Sequence, residues 1–371
     1  MKKVRVGIIF GGRSGEHEIS LMSARSIVDA LDRERYEPVL VGIDPDGRWH
    51  LEDAGRALLG GPGAPLQLDT TAPELAMRPG GGALLPAGAP GAAPVDVFFP
   101  VLHGTYGEDG TVQGLLEMAG LPYVGSGVLG SAIGMDKDVA KRLLRDAGLL
   151  VADYWVVHAR QWALPGAAAV LQAAVAERLG WPCFVKPANA GSSVGVHKVK
   201  SAAELAPAVT DALRYDRKVL VERAVPQARE IEVAVLGNDA PEASVPGEVV
   251  PNAEFYSYQA KYVDADGARL VIPAALTAEQ TAEVRALAVS AFQALELSGM
   301  ARVDFLMERS SGTLYLNEVN TIPGFTKISM YPKMWEHSGL GYRDLVSKLI
   351  ELALERHAAR SALSTRYLPE T

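Results

Sequence analysis

The sequence predicts an α/β protein that begins with a parallel sheet, because strand-like and helix-like segments alternate along its first part. The apolar run 4–10 ends in a glycine pair, and apolar residues then recur at helical spacing from Leu21 to Leu31. A second apolar run follows at 38–43 and a third at 95–102. The order strand, helix, strand predicts a right-handed parallel unit.

Length and composition indicate a globular protein with more than one domain. The chain has 371 residues, enough for two or three domains of about 100–200 residues each. Its net charge of -8 offers no basic field to a polyanion, so we expect no nucleic-acid partner. The single cysteine, Cys183, excludes an intrachain disulfide. Because no signal-peptide pattern and no membrane-spanning run are present, we expect a cytoplasmic protein without membrane contact.

Glycine and proline punctuate the rest of the chain and predict where its helices end. The predicted helices are 111–119, 136–147, 167–179, 277–297 and 342–356. The predicted strands are 183–186, 194–199, 219–222, 231–236, 302–307 and 314–319, of which the last two form a hairpin. Residues from about 59 to 94 are dense in Gly, Pro and Ala, which predicts a surface insertion without a chemical role.

The predicted hairpin carries a cluster of polar side chains. Arg302 and Asp304 share one face of its first strand, and Glu318 and Asn320 share one face of its second, because side chains two apart point the same way. Carboxylate and amide oxygens are ligands that suit Mg²⁺. The spacing predicts a metal site, but it also fits an ordinary ion pair on a solvated strand face.

Two glycine-rich segments are candidates for binding an anion. Residues 186–195, KPANAGSSVG, would let backbone N–H groups approach a phosphate, although the segment also fits a plain glycine hairpin. It is not a Walker P-loop, because the required lysine spacing is absent. Residues 10–15, FGGRSG, lack the dinucleotide fingerprint because position 10 is Phe, which argues against an NAD enzyme.

The segment that follows the second hairpin strand combines a Pro-Gly turn with a helix start. Gly324 could present its backbone N–H to a developing oxyanion. Ser329 and Met330 open a short predicted helix, whose N-terminus can bind a carboxylate. The same pattern fits a turn with no chemical role.

Taken together, these segments resemble the D-alanine–D-alanine ligases of the ATP-grasp superfamily. The matching segments are GGRSGEHEIS (11–20), LHG (102–104), GEDG (107–110), GMDK (134–137), VKP (185–187), GSSVG (191–195), YQAKY (258–262), RVD (302–304) and NEVNTIPG (317–324). They occur in the family's order and cover nearly the whole chain apart from the insertion. The resemblance implies an ATP-grasp fold with an N-terminal Rossmann-like, parallel-sheet domain.

The resemblance also implies a division into domains and a reaction. The domains would be 1–130, 131–221 and 222–371, with the insertion in the first and a mobile loop at about 252–269 in the last. The reaction would be the ATP-dependent ligation of two D-alanines through D-alanyl phosphate, for peptidoglycan precursors. The partners would be ATP, D-alanine, two Mg²⁺ or Mn²⁺ ions and a second copy of the chain in a homodimer.

Three alternatives to this function remain open from the sequence. The nearest is a D-alanine–D-lactate ligase, against which Tyr262 counts because lactate-forming relatives generally alter this loop or carry Phe there. A nucleotide-binding oxidoreductase is disfavoured by the missing glycine at position 10. A non-catalytic ATP-binding module is disfavoured because the polar residues of the metal and oxyanion sets are all present.

By resemblance, one group of residues would hold the nucleotide and its metal ions. The implied ATP-binding residues are Lys137, Lys186, Ser192, Glu222, Arg223, Val225, Glu230, Lys261, Asn317 and Glu318. The implied metal ligands are Asp304, Glu318 and Asn320. Both Lys137 and Lys186 would contact phosphates, and Glu222 would lie near the adenine. Glu230 is the best match to the acid that binds the ribose, and Glu232 is the alternative.

A second group would hold the two D-alanines. Glu16 would bind the ammonium of the first D-alanine, and His103 would lie near its carboxylate. The carboxylate of the second D-alanine would be held by Ser329 and Met330 at the helix N-terminus.

A third group would act on the reacting centre. Arg302 and the Gly324 N–H would stabilise the oxyanion of the tetrahedral intermediate. Ser192 and Tyr262 would connect the glycine-rich loop to the mobile loop through hydrogen bonds that reach Glu16. Closure of both loops would keep water from the acyl phosphate.

Overall fold

The protein is described by a computed structural model that covers residues 2–58, 61, 63–77, 84–86, 95–251 and 268–364. The strands are Val4–Gly11 (β1), Tyr36–Ile43 (β2), Trp49–Glu52 (β3), Leu75–Met77 (β4), Leu84–Pro86 (β5), Val97–Pro100 (β6), Tyr154–His158 (β7), Cys183–Pro187 (β8), His197–Val199 (β9), Lys218–Arg223 (β10), Ala228–Gly237 (β11), Glu242–Ala243 (β12), Gly247–Pro251 (β13), Ala268–Val271 (β14), Gly299–Glu308 (β15) and Leu314–Asn320 (β16). The helices are His17–Ala30 (α1), Ala54–Ala57 (α2), Thr111–Met118 (α3), Val128–Met135 (α4), Lys137–Asp146 (α5), Ala159–Trp162 (α6), Ala167–Arg178 (α7), Ala202–Ala212 (α8), Ala278–Ala294 (α9), Met330–His337 (α10) and Tyr342–Ser361 (α11).

The first sheet confirms the predicted parallel unit. Its strand order is β3-β2-β1-β6, and β1 pairs in parallel with both β2 and β6. The side chains of Ile8, Ile9 and Phe10 are fully buried, which is typical of a parallel strand covered on both faces. Helix α1 packs its apolar stripe, which includes Ile27 and Val28, into the same core.

The predicted insertion is more than a surface excursion, and this part of the prediction is wrong. Leu66 is only 1% exposed and belongs to the core that also contains β1 and α1. The backbone N–H of Asp69 is within 3.2 Å of both carboxylate oxygens of Glu52 at the end of β3. Residues 63–77 therefore contribute to the N-terminal core through the buried Leu66 and the partly buried Leu68, which packs against the same core.

The second and third sheets are antiparallel and together carry most of the predicted site. The second has the order β7-β10-β8-β9, and the third has the order β14-β13-β11-β15-β16, with β12 paired to β11. In the hairpin of β15 and β16, Asp304 pairs with Glu318 and Arg302 with Asn320. The alternate residue Val303 is fully buried, so the predicted polar face of the hairpin is confirmed.

Local signals place the starts of the predicted helices within one residue of their predicted positions, whereas the last helix runs to Ser361, five residues beyond its predicted end. Asp136 caps α5 by accepting hydrogen bonds from the N–H groups of Asp138 and Val139, and Ser329 is the N-cap residue of α10. The predicted strand 194–199 is shorter than expected, since only His197–Val199 pairs with β8. Ser192, Ser193 and Gly195 have positive φ angles, a conformation that turns the chain before the strand can begin.

Among the helices of the described ranges, none is long and apolar enough to cross a membrane. The division of the chain at residues 130 and 221 stays a prediction.

Candidate active site

A cavity of about 760 Å³ is bordered by the second and third sheets and by the glycine-rich loop between β8 and β9. Ten residues from the predicted catalytic, ATP-binding and metal sets line it, namely Lys137, Lys186, Ser192, Arg223, Val225, Glu230, Arg302, Asp304, Asn317 and Glu318. They come from five separate segments of the chain, which the two antiparallel sheets, the glycine-rich loop and α5 bring to one space. The volume is within the usual range for a small-molecule site.

Glu222 lies beneath this cavity rather than on its surface. The residue is 1% exposed, and its carboxylate oxygens are 2.7 Å from the ammonium nitrogens of Lys141 and Lys186. Burial alone would raise the pKa of Glu222, but the two lysines outweigh it and lower the pKa to about 2. Because the Glu222 side chain is held by these lysines, a contact with adenine would have to use its backbone.

The two phosphate-binding candidates are themselves fixed by hydrogen bonds. Lys186 donates to Glu222 at 2.7 Å and to Asn317 Oδ1 at 3.1 Å. Lys137, in the first turn of α5, donates to the carbonyl oxygen of Ala190 at 2.8 Å and lies 3.5 Å from Glu318. Both ammonium groups are thereby placed on the wall of the cavity next to the glycine-rich loop.

Arg302 is the centre of an acidic cluster on the third sheet. Its guanidinium makes two hydrogen bonds of 2.7 Å to Asp304 and a 3.0 Å contact with Glu232. Burial would lower the pKa of Arg302, but the charges of Asp304 and Glu232 raise it well above its ordinary value. Both Glu230 and Glu232 line the cavity, and the choice between them as the ribose ligand stays a prediction.

The predicted metal ligands lie together on the hairpin face. Asp304 pairs with Glu318 across the two strands, and Asn320 donates from Nδ2 to Asp304 Oδ2 at 2.9 Å. Among the described residues, no group of three or more His, Cys, Asp or Glu side chains is arranged to hold a metal ion. Two carboxylates and one amide oxygen nevertheless form a donor set that fits a hard cation such as Mg²⁺, which completes its coordination with water and phosphate.

Glu16 occupies a tightly packed corner where the first α-helix meets the glycine-rich loop. It is 9% exposed, and its carboxylate accepts a hydrogen bond from the hydroxyl of Ser192. A Cβ atom on Gly104 or on Gly191 would lie 2.7 Å or 2.9 Å from Glu16 Oε2. A side chain at either position would therefore require the Glu16 carboxylate or the loop to shift.

His103 is buried and has a defined tautomer. Its Nδ1 is 3.1 Å from the carbonyl oxygen of Ile322, which can only accept, so Nδ1 carries the hydrogen. Its Nε2 is 3.2 Å from the hydroxyl of Ser23 and therefore accepts. Burial lowers the pKa of His103, against the opposing charge of Glu16.

The side chains of Glu108 and His103 hold the loop that presents Gly324. Glu108 accepts hydrogen bonds from the backbone N–H groups of Gly104 at 2.8 Å and Ile322 at 3.1 Å. Burial raises the pKa of Glu108 to about 8, and the nearby negative charge of Glu16 adds to the effect. Ile322 is thus held at its N–H by Glu108 and at its carbonyl by the buried histidine, two residues before Gly324.

Ser329 and Met330, the residues predicted to hold a carboxylate, lie at the start of α10. Ser329 Oγ accepts from the N–H of Thr326 at 3.1 Å and lies 2.8 Å from the Thr326 hydroxyl. A Cβ atom on Gly324 would come within 3.1 Å of the same oxygen. Met330 has its side chain in the core and is 6% exposed, so it could contact a ligand only through its backbone.

Sequence reasoning missed three residues that support this site, and two predicted residues cannot be placed. Lys141, Ser23 and Glu108 were not singled out, although Lys141 stands one helical turn after Lys137 and Glu108 lies within a motif that was recognised. Lys261 and Tyr262, with the predicted mobile loop around them, lie outside the described residues.

Comparison with known proteins gives matches over nearly the whole chain. The family model described as "D-ala D-ala ligase N-terminus" matches residues 5–126, and the one described as "D-ala D-ala ligase C-terminus" matches residues 143–351. A D-alanine–D-alanine ligase A from Chromobacterium violaceum is 53% identical over 369 residues, covering 98% of this chain and 99% of that protein. The D-alanine–D-alanine ligase A of Escherichia coli K12 is 52% identical over 370 residues, covering 98% of this chain and 100% of that protein.

Solved structures agree with the sequence matches. The D-alanine–D-alanine ligase from Coxiella burnetii has a TM-score of 0.84 and 37% identity, covering 97% of both chains. The VanG D-Ala:D-Ser ligase from Enterococcus faecalis has a TM-score of 0.82 and 33% identity, covering 95% of this chain and 100% of that one.

Proposed function

This chain belongs to the D-alanine–D-alanine ligase family and has the ATP-grasp fold, and we propose that it joins two molecules of D-alanine in a reaction driven by ATP. The identity of 52–53% to ligases named for this activity, over nearly the full length of both chains, is the observation that carries the proposal. The product would be D-alanyl-D-alanine for peptidoglycan precursors, made in the cytoplasm by a homodimer.

The reaction has two steps. The carboxylate of the first D-alanine attacks the γ-phosphorus of ATP, which gives D-alanyl phosphate and ADP. The amine of the second D-alanine then attacks the acyl carbon, a tetrahedral intermediate forms, and phosphate leaves while the amine loses a proton. The energy of the phosphoanhydride bond is thereby used to form the amide bond.

The cavity residues are suited to the first step. Lys137 and Lys186 would neutralise and orient the phosphates, which is most of what phosphoryl transfer requires of a protein. Asp304, Glu318 and Asn320 would hold Mg²⁺. When bound there, the metal would neutralise the charge that builds up on the transferred phosphoryl group.

The buried corner is suited to the second step. Glu16 would hold the ammonium of the first D-alanine through its carboxylate, in a confined space. Arg302 and the Gly324 N–H would stabilise the oxyanion of the tetrahedral intermediate, and the fixed loop around Ile322 places that N–H before the substrate arrives. The start of α10, at Ser329, would hold the carboxylate of the second D-alanine.

The experiment that tests this function measures products with each acceptor in turn. Purified protein with ATP, Mg²⁺ and D-alanine alone should release ADP and phosphate and form the dipeptide, detected by mass spectrometry. Equal mixtures of D-alanine with D-lactate or D-serine should give mainly D-alanyl-D-alanine. A dominant depsipeptide or D-alanyl-D-serine would overturn the acceptor assignment, and failure to consume ATP with any acceptor would overturn the ligase proposal.

A further inference from the structure

Lys141, Glu222 and Lys186 form a connected set of charged side chains that the proposed mechanism uses only in part. Lys141 and Glu222 are each 1% exposed, and their charged groups are 2.7 Å apart. Glu222 bridges from Lys141 to Lys186, which lines the cavity and is also 2.7 Å from the carboxylate. Lys141 itself does not reach the cavity wall, and its ammonium is 3.5 Å from the carbonyl oxygen of Leu316.

The net charge of this set affects the electrostatic potential at a phosphate group bound next to Lys186. Burial lowers the pKa of Lys141, and the charge of Glu222, 2.7 Å away, opposes this effect. With both lysines charged, two ammonium groups and one carboxylate give a net charge of +1, and Lys186 is the member of the set that lines the cavity. Without Lys141, Glu222 would neutralise Lys186, and the phosphates would meet a pair with no net charge. Screening by water is weak at such depth, so one missing charge has a large effect on a nearby phosphate.

We propose that Lys141 is a positioning residue for the nucleotide: it offsets the charge of Glu222 so that Lys186 offers a net positive charge to the phosphates. The inference rests on the proposed ATP-dependent function and adds to it a residue that never touches the substrate. Glu222 in turn fixes the direction of Lys186, whose ammonium is held between Glu222 and Asn317 Oδ1 at 3.1 Å.

A purely structural role of Lys141 predicts a different result when the residue is replaced. A buried ion pair is often no more stabilising than apolar residues of similar volume. If Lys141 only filled space, methionine would replace it with little effect on ligand affinity. If it balances charge, its loss should be repaired by removing the carboxylate that it balances.

The test measures binding of ADP and of adenosine by calorimetry, with no D-alanine present. Lys141→Met should weaken ADP binding about tenfold or more, equivalent to about 1.4 kcal/mol, and should leave adenosine binding unchanged because adenosine has no phosphate. The double variant Lys141→Met with Glu222→Gln restores the net charge of +1 and should return ADP affinity to within about threefold of the unmodified protein. Arg142→Met is the matched control, since it removes one charge from the exposed side of the same helix.

Each result has a definite meaning. Unchanged ADP affinity in Lys141→Met, or no recovery in the double variant, would overturn the charge-balance role. A parallel loss of adenosine and ADP affinity in Lys141→Met would show that the substitution damages the fold of the site and would equally overturn it. If the unmodified protein bound no ADP, the proposed ATP-dependent function would itself be overturned.

Discussion

Replacing Gly191 by alanine should disturb the binding of the first D-alanine while leaving the protein folded. A Cβ atom at this position would lie 2.9 Å from Glu16 Oε2, whereas ordinary contacts begin near 3.4 Å, so the carboxylate or the loop must move by about 0.5 Å. Glu16 cannot move freely, because it is buried, accepts a hydrogen bond from Ser192 and faces Gly104 on its other side. Since a misplacement of about 1 Å can cost about 100-fold in rate, a displacement of about 0.5 Å should cost about tenfold in kcat/KM for D-alanine.

The assay is steady-state ADP release at varied D-alanine, together with the melting temperature and the affinity for ADP. Gly15→Ala is the matched control, because it adds the same methyl group beside Glu16 where no atom lies within 4 Å. We expect the Gly191 variant to lose about tenfold in kcat/KM while the control and the ADP affinity change little. If both variants had the same kcat/KM as the unmodified protein, the claim that glycine positions the Glu16 carboxylate would be refuted.

Three further predictions test other parts of the account. Glu318→Gln should raise the Mg²⁺ concentration needed for turnover with little loss of stability, because a charged ligand is lost while the shape is kept; an unchanged Mg²⁺ dependence would contradict its role. Ser23→Ala removes the hydroxyl that lies against Nε2 of His103 and should lower kcat about tenfold or less, at nearly constant KM for ATP. Ser26→Ala on the same helix is the control and should leave kcat unchanged. Equal kcat values in the two variants would contradict the role of the Ser23 hydroxyl. Burial lowers the pKa of His50, but its contacts with Asp44 and the carbonyl oxygen of residue 72 outweigh this and raise it. The stability that His50 contributes is therefore full below about pH 6.5 and is lost as pH rises through the raised pKa. His50→Gln should narrow the difference in unfolding free energy between pH 5.5 and pH 8.5, as measured by urea titration. An undiminished difference would contradict the proposed loss of His50 stabilisation with rising pH.

The parts of the fold that depend on local patterns could be predicted from the sequence. The polar face of the β15–β16 hairpin follows from the alternation of polar and apolar residues at 302–304 and 318–320, next to a shift in strand register after Asp304. A shift of one residue within these stretches would place Arg302 and Asp304 in the core instead of Val303. The start of α10 at Met330 is the position that the sequence predicts, although the Ser329 side chain bonds Thr326 and makes no cap hydrogen bond to the helix. Both signals lie within a few residues of the feature that they specify.

The parts that depend on distant contacts could not be predicted in the same way. The carbonyl of Ile322 is 219 residues from His103 in the chain, and no local pattern joins them. Lys141 and Glu222 belong to different elements, α5 and β10, and meet only when the helix packs against the second sheet. Composition also gave no sign that Leu66 would enter the core from a segment rich in small residues.

The central claim, that an acyl phosphate of D-alanine is formed and then attacked by a second D-alanine, is tested most directly by isotope transfer. The protein is incubated with ATP, Mg²⁺ and D-alanine labelled with ¹⁸O in both carboxylate oxygens, and dipeptide and phosphate are analysed by mass spectrometry. The account predicts one labelled oxygen in the released phosphate for each dipeptide formed, because the attacking carboxylate oxygen leaves with the phosphate. Dipeptide with unlabelled phosphate would contradict the acyl phosphate route, and phosphate release without dipeptide would contradict the ligase function.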